Sequence, residues 1–258
     1  MLKNLKTKKG RDESGLFIVE GEKLVEEIPE SYTIICYAAS RKYAANHDLS
    51  RFARKARLEI IRDSLFESLD DTKTPQGLLA ICEQKRTSLD DILRLCRPST
   101  SHAETPGDKD TQCGFFLLGE SISDPGNMGT LIRTAAAAGA SGAVFTSGST
   151  ELHSPKVIRA SAGAVLRLPC AEISEQSHEA KPTLLSIKAA NIPIYAAHPR
   201  GTALPYELPL HKPFCVLIGN EAHGISREAE SLADALVKLP MQNELESLNA
   251  AVAGGILL

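Results

Sequence analysis

Two α/β domains are what this sequence predicts, a small one followed by a larger one built on a parallel sheet, and three observations predict them. Short β-rich apolar runs alternate with helix-forming segments along all 258 residues, a length sufficient for two cores. One stretch of linker composition interrupts that alternation. Beyond it the strands become almost continuously apolar, the pattern of a parallel sheet covered by helices on both faces.

In the first part, LFIVE (16–20), TIICYAA (33–39), LEII (58–61) and GLLAICE (77–83) read as strands, rich in β-branched and apolar residues. Between them GEKLVEEI and AANHDLSRFARKAR carry helical spacing and good helix formers. The first domain is therefore assigned to residues 1–96. RPSTSHAETPGDKDTQCG (97–114) has almost no apolar residues and is rich in Pro, Ser, Thr, Gly and Asp, so 97–113 is assigned as a linker. The second domain, 114–258, restarts with GFFLLGE (114–120) and continues through GAVFTS (142–147), VLRLPC (165–170), IPIYAA (192–197), FCVLIG (214–219) and ALVKLP (235–240) as strands. Ligands of such sheets bind just beyond the C-terminal ends of strands.

Composition excludes several classes. At 24% charged and 43% hydrophobic residues, with no long apolar run, the chain reads as a globular protein without a membrane span. Its N-terminus, MLKNLKTKKGRDESG, is basic but has no apolar region behind it and does not read as a secretory signal, which points to the cytoplasm. The cysteines are scattered singly, Cys36, Cys82 and Cys215 inside apolar runs, and no pair stands at metal-ligand spacing, so no metal is expected. G-x-G-x-x-G, the P-loop pattern and the G-x-S-x-G elbow are all absent.

The net charge of −3 conceals an asymmetry. Lys3, Lys6, Lys8, Lys9 and Arg11 crowd the N-terminus, and Arg41, Lys42, Arg51, Arg54, Lys55, Arg57 and Arg62 follow against Asp48 and Glu59. Such a distribution suits a phosphate backbone on the first domain, with Lys8, Lys9, Arg11, Arg54, Lys55 and Arg57 as RNA-contact candidates. A solvated helix face explains the second cluster equally well on composition alone.

Three strand ends carry unusual residues. After FFLLGE, a turn at Pro125-Gly126 leads to Asn127 as a good N-cap of a helix from Met128 to about Gly139, with Arg133 in its first two turns. Its free N–H groups suit a phosphate or carboxylate, although simple capping and a solvated arginine remain an alternative. After FCVLIG, Glu221 stands between Gly219 and Gly224, glycines that let backbone approach a ligand, and is the best candidate for a functional acid. After ALVKLP comes MQNELESLN, where Ser247 is placed as the cap and Asn249 in the first turn of an Ala/Gly-rich helix, AAVAGGILL.

NMGTLIRTAAAAG, IGNEAHGIS and LPMQNELESLNAAVAGGILL, in that order, resemble the three motifs of the SpoU/TrmH family of RNA ribose 2′-O-methyltransferases, in the SPOUT superfamily of trefoil-knot enzymes. FIVEGEKLVEEI and TKTPQGLLAIC resemble that family's smaller N-terminal RNA substrate-binding domain, and SPKVIRASAGAVLRLP the segment between motifs one and two. The resemblance implies a C-terminal knot that binds S-adenosylmethionine, with backbone around Gly219, Leu239 and Leu248 lining the pocket. It implies transfer of a methyl group to a ribose 2′-hydroxyl of structured RNA, ribosomal rather than transfer RNA, by a homodimer. Arg133 is implied as base or phosphate clamp, with Asn127, Glu221, Ser247 and Asn249 orienting it and the ribose; a guanidinium is chemically better suited to the clamp. Family members continue the last helix past the position of Leu258, so a reduced dimer face is expected, and QNELESLNAAVA departs from the usual small residue after the methionine. A non-catalytic RNA-binding protein and a base methyltransferase are the alternatives.

Overall fold

The computed structural model describes residues 2–69, 75–97, 114–173, 180–211, 213–242 and 247–258. The expected linker, Arg97 apart, and residues 243–246 of the third motif lie outside the described residues. Elements run in chain order α1 (Lys8–Ser14), β1 (Leu16–Glu20), α2 (Glu22–Glu26), β2 (Ile34–Ser40), α3 (Arg41–Asn46), α4 (Ser50–Ala53), β3 (Arg57–Ile61), α5 (Asp63–Leu69), β4 (Leu78–Glu83) and α6 (Leu89–Cys96). They continue with β5 (Phe115–Gly119), α7 (Pro125–Ala137), β6 (Gly142–Phe145), α8 (Pro155–Ala160), β7 (Cys170–Glu172), α9 (Lys181–Ala189), β8 (Ile194–Ala197), β9 (Phe214–Ile218), α10 (Arg227–Leu232), β10 (Ala235–Val237) and α11 (Ala250–Leu257). No helix among the described residues is long and apolar enough to cross a membrane.

The chain divides into two compact units, Met1–Lys85 with Glu151–Arg167, and Arg86–Thr150 with Leu168–Leu258. In the first, four strands are ordered β1-β4-β2-β3; β4 is antiparallel to β1 and β2, and β2 is parallel to β3. Every residue of β1 is buried, which requires cover on both faces of the sheet. Leu5, Leu16, Ile18, Ala38, Phe66, Leu79 and Ile81 form one core cluster. The 151–167 segment joins this unit through Phe17, whose ring lies 4.6 Å from that of His153, and through Glu20, which accepts from Arg159 Nη1 at 2.8 Å.

Arg11 corrects an expectation. Its guanidinium is 4% exposed, donates through Nε to Glu151 at 2.6 Å and through Nη1 to the Leu5 carbonyl at 2.6 Å, and forms a second bond to Glu151 through Nη2. A guanidinium committed in this way is a structural ion pair and not a contact for RNA phosphate.

In the second unit six strands, all parallel, are ordered β10-β8-β9-β5-β6-β7. Phe116, Leu118, Cys215 and Leu217 pack on one face with Ile92 and Leu93 of α6, Leu184 and Ile187 of α9 and Ala229 of α10. By strand alternation Ile218 points to the other face, where it and Leu131 of α7 meet Gly254 of α11. Helices therefore cover both faces, as the continuous apolar strands require.

Two sequence boundaries shift. Helix α6, placed by composition before the linker, buries Ile92, Leu93 and Cys96 in the core of the second unit, behind a Ser88–Asp91 capping box. VLRLPC is not a strand: Ala162 and Gly163 both take positive φ, Ala164–Leu166 forms a 3-10 turn, and pairing with β6 begins only after Pro169, at Cys170. Proline has no N–H for the ladder, and successive left-handed residues bend the chain out of extended geometry.

Candidate functional site

Strands β5 and β9 are adjacent and in register, Gly119 opposite Ile218, so the loops leaving their C-terminal ends emerge side by side. Residues 121–127 thereby meet residues 219–224. The first loop turns at Ser121, whose φ of 53° lies in the left-handed region that non-glycine residues rarely enter. Three bonds hold it there: its N–H donates to Thr146 Oγ1 at 3.0 Å, its hydroxyl to the Ser147 carbonyl at 3.1 Å, and its carbonyl accepts from Asn220 Nδ2 at 2.7 Å.

Helix α7 starts three residues earlier than the sequence suggested. Asp124 is the N-cap, accepting the Asn127 N–H at 2.7 Å, and Pro125 takes the first helical position, where its missing N–H costs nothing. Asn127 is therefore not the cap. Its side chain is released to bridge, donating to Glu221 Oε1 at 3.0 Å and accepting from Asn249 Nδ2 at 2.9 Å.

Glu221 is the hub. Its carboxylate accepts from the Ser123 N–H at 3.2 Å, the Ser123 hydroxyl at 3.0 Å and the Asp124 N–H at 3.2 Å, besides Asn127. Partial burial would raise its pKa; the hydrogen bonds from Asn127 and from backbone N–H groups outweigh burial and hold it down at about 2. At neutral pH it is a fixed anion, too weak a base to take a proton from a hydroxyl. Asn220 shapes the loop that carries it, its Oδ1 accepting the N–H groups of Ala222 at 2.9 Å and His223 at 3.1 Å. The Asn220 and Gly224 backbones pair in both directions at 2.9 Å. A Cβ on Gly219 would stand 2.3 Å from the Gly224 carbonyl carbon, so only glycine permits this turn.

The third strand end joins through Asn249, which caps α11 by accepting the Ala251 N–H at 2.9 Å and the Val252 N–H at 3.2 Å. The expected cap, Ser247, stands two residues earlier and is exposed. Asparagine here does two jobs, its oxygen capping the helix while its amide reaches Asn127.

Asn127, Glu221 and Asn249 are thus brought together. Arg133 is exposed on α7 and makes no hydrogen bond or ion pair among the described residues. Six residues separate it from Asn127, roughly 240° around a helix, so the two side chains leave in different directions. Leu239 is half-buried beyond β10, and Leu248 is 36% exposed before α11. Of the RNA candidates in the first unit, Lys8, Lys9, Arg54, Lys55 and Arg57 are exposed; Lys9 lies 3.8 Å from Glu13, and Arg57 pairs with Glu59 at 2.6 Å.

Sequence reasoning missed Ser123, Asp124 and Asn220. The available signal was Asp-Pro at a helix start, a strong capping arrangement, and an Asn ending a buried strand beside a carboxylate.

Residues 114–258 match the model described as the SpoU rRNA Methylase family, and residues 1–80 match the MRM3-like substrate binding domain. The chain is 29% identical to the 23S rRNA (guanosine(2553)-2′-O)-methyltransferase RlmP of Bacillus subtilis, covering 99% of this chain and 92% of that protein. It is 26% identical to rRNA methyltransferase 3, mitochondrial, of Xenopus laevis, covering 98% and 70%. Among solved structures, the AdoMet-bound rRNA methyltransferase from Sinorhizobium meliloti superposes with a TM-score of 0.80 at 27% identity, covering 99% of this chain and 90% of that one.

Proposed function

Because this chain belongs to the SpoU rRNA methylase family, we propose that it transfers a methyl group from S-adenosylmethionine to the 2′-hydroxyl of a ribose in ribosomal RNA. The observation that carries this reading is the convergence of three separate strand-end motifs on one hydrogen-bonded cluster, Glu221–Asn127–Asn249, at the C-terminal edge of a parallel sheet. Relatives named as rRNA 2′-O-methyltransferases over nearly the whole chain support the substrate class.

The residues present fit the cofactor. At the end of β9 the Gly219 turn is so tight that the Gly224 and Ile225 backbone fills the space a Cβ would take, and the apolar surface left open on Leu239 and Leu248 suits an adenine ring. When bound, S-adenosylmethionine supplies an electrophilic methyl on a sulfonium. The protein's task is to align the ribose and assist loss of the hydroxyl proton. Glu221 holds Asn127 and the 123–124 backbone rigid; Asn127 and Asn249 fix the two helix starts to each other. Arg133, exposed and uncommitted among the described residues, clamps an RNA phosphate beside the reacting ribose through its paired N–H donors. Ser247, exposed before α11, offers a hydroxyl to the ribose or phosphate. Among the described residues no cluster of three or more potential metal ligands accompanies them. Lys8, Lys9, Arg54, Lys55 and Arg57 would contact RNA phosphates from the first unit. The exposed Val252 and Ile256 of α11 support a homodimer through that helix.

The test is mass spectrometry of nucleosides from undermodified ribosomal and transfer RNA after incubation with the protein and labelled S-adenosylmethionine. Label in a 2′-O-methylnucleoside of the ribosomal pool is the expected result, with Arg133→Lys reducing its rate by roughly 10²-fold through loss of bidentate phosphate geometry. Unlabelled RNA despite demonstrated cofactor binding would establish a non-catalytic RNA-binding role; label in a base would establish the other alternative.

A further inference from the structure

A shallow, open depression of about 480 Å³ lies on the surface of the first unit, lined by Glu22, Lys23, Glu26, Tyr43, His47 and Gln76. Its floor is an aromatic pair. The rings of Tyr43 and His47 stack face to face, centroids 3.9 Å apart and planes 7° from parallel. Tyr43 is buried, while His47 is exposed, so one face of the imidazole rests on the phenol and the other is available. A second constraint fixes the imidazole: Nδ1 lies 3.0 Å from the Tyr43 carbonyl, which can only accept, so Nδ1 carries the proton. An exposed ring held by both stacking and a hydrogen bond is a flat plate whose conformational entropy has been removed before any ligand arrives.

The polar wall has matching chemistry. The Tyr43 hydroxyl is buried beside Glu22 yet completes no hydrogen bond of normal geometry. Gln76 accepts the Glu22 N–H through Oε1 at 2.9 Å, which leaves its amide donors for another partner. Arg51 pairs closely with Glu26 and stands 3.5 Å from Glu22, so Glu22 retains acceptor capacity. Donors on Gln76 and Lys23 beside an anionic acceptor complement a ring that presents a carbonyl next to two N–H groups. Among the nucleobases that edge belongs to guanine: O6 accepts, and N1 and the exocyclic amine donate.

We propose that this depression binds one unpaired guanine of the RNA, stacked on His47 and read by Glu22, Gln76 and Lys23. The inference rests on the RNA-directed reading given above and assigns to the first unit a base-specific contact in addition to phosphate attraction. Single-stranded RNA is recognised in this manner, by stacking on aromatic side chains combined with hydrogen bonds to base edges.

The experiment is fluorescence anisotropy of the full chain with 3′-labelled uridine decamers that carry a single central G, A or C, compared with the all-uridine decamer. The expected result is roughly tenfold tighter binding of the G-containing decamer than of the others, the scale of one stacked and hydrogen-bonded base. His47→Ala, an exposed position that folding tolerates, reduces that ratio to near one, and Glu22→Gln removes the preference for G over A while retaining purine over pyrimidine. Equal affinity for all decamers, or a G preference that survives His47→Ala, would overturn the proposal. GMP at millimolar concentration is added in a second arm: displacement of only the G-dependent increment supports a base pocket that RNA fills, whereas a free mononucleotide bound more tightly than the decamer overturns RNA as the source. Methyl transfer by the same preparation is measured in parallel. Transfer without base preference removes only this pocket, and base preference without transfer removes only the catalytic reading.

Discussion

Glu221 is governed by its charge more than by its volume. Its oxygens gather backbone N–H groups from one loop and an amide from a helix, and this is what holds its pKa at about 2 against an ordinary 4.5. In the native state it therefore binds fewer protons than in the unfolded chain. Its contribution to stability is fully present above about pH 4.5 and is lost as pH falls toward 2. Thermal melts of the wild type and Glu221→Gln should thus differ by a constant interval at neutral pH, and the interval should close as pH drops through that window. A gap that persists at pH 2 would mean that the glutamine is harmful for its shape and that the charge does nothing. At this scale the sequence was partly legible. Two flanking glycines singled out Glu221, but nothing in local spacing indicated that its partners would be the hydroxyl and amides of residues 123 and 124, because a register between β5 and β9 creates that encounter. The free side chain of Asn127 was hidden for a related reason: both Asp124 and Asn127 are good caps, and Pro125 decides between them.

At the scale of elements, α7 and α11 form the scaffold of the site, and their approach depends on a single missing side chain. Gly254 faces Leu131, whose Cδ2 would lie 2.3 Å from a Cβ placed there, with Ile218 Cγ1 at 3.4 Å. Both neighbours are buried, so they have little room to retreat. Gly254→Val should cost about 1–3 kcal/mol through overpacking and should separate Asn249 from Asn127, lowering methyl transfer together with the urea midpoint. Its neighbour is the control. A Cβ on Gly255 meets only Thr134 at 3.5 Å, ordinary contact, so Gly255→Ala should be neutral or stabilise by up to about 1 kcal/mol through helix propensity. If both substitutions behave alike, close packing is not what seats α11. The Ala/Gly composition of AAVAGGILL advertised a close approach, and the strands flanking it were readable from apolar continuity. VLRLPC was not, since its apolar residues serve a buried turn whose geometry is set by two successive positive φ angles.

The molecule as a whole is less linear than its composition. The chain leaves the first unit after Lys85, returns at Glu151 and departs again after Arg167, so a segment bracketed by strands of one sheet folds with the other. A composition-based boundary cannot detect this, because 151–167 is no more polar than the elements around it, and because the ion pair that retains it joins residues 140 positions apart. That pair is the point at which the arrangement can be tested. Arg11 and Glu151 are 4% and 8% exposed at their side chains, so removing one strands the other in a site where water cannot replace it. Glu151→Leu should therefore destabilise by about 3–5 kcal/mol, and Arg11→Met by a similar amount. The double variant Arg11→Met/Glu151→Leu should recover most of that loss, since two apolar chains of comparable volume leave no uncompensated charge. Urea unfolding of the four proteins gives the coupling directly. Strong non-additivity would identify the pair as the clasp of the 151–167 segment. Small, additive losses would transfer that role to the Phe17–His153 contact and the Glu20–Arg159 pair, which hold the same segment from β1.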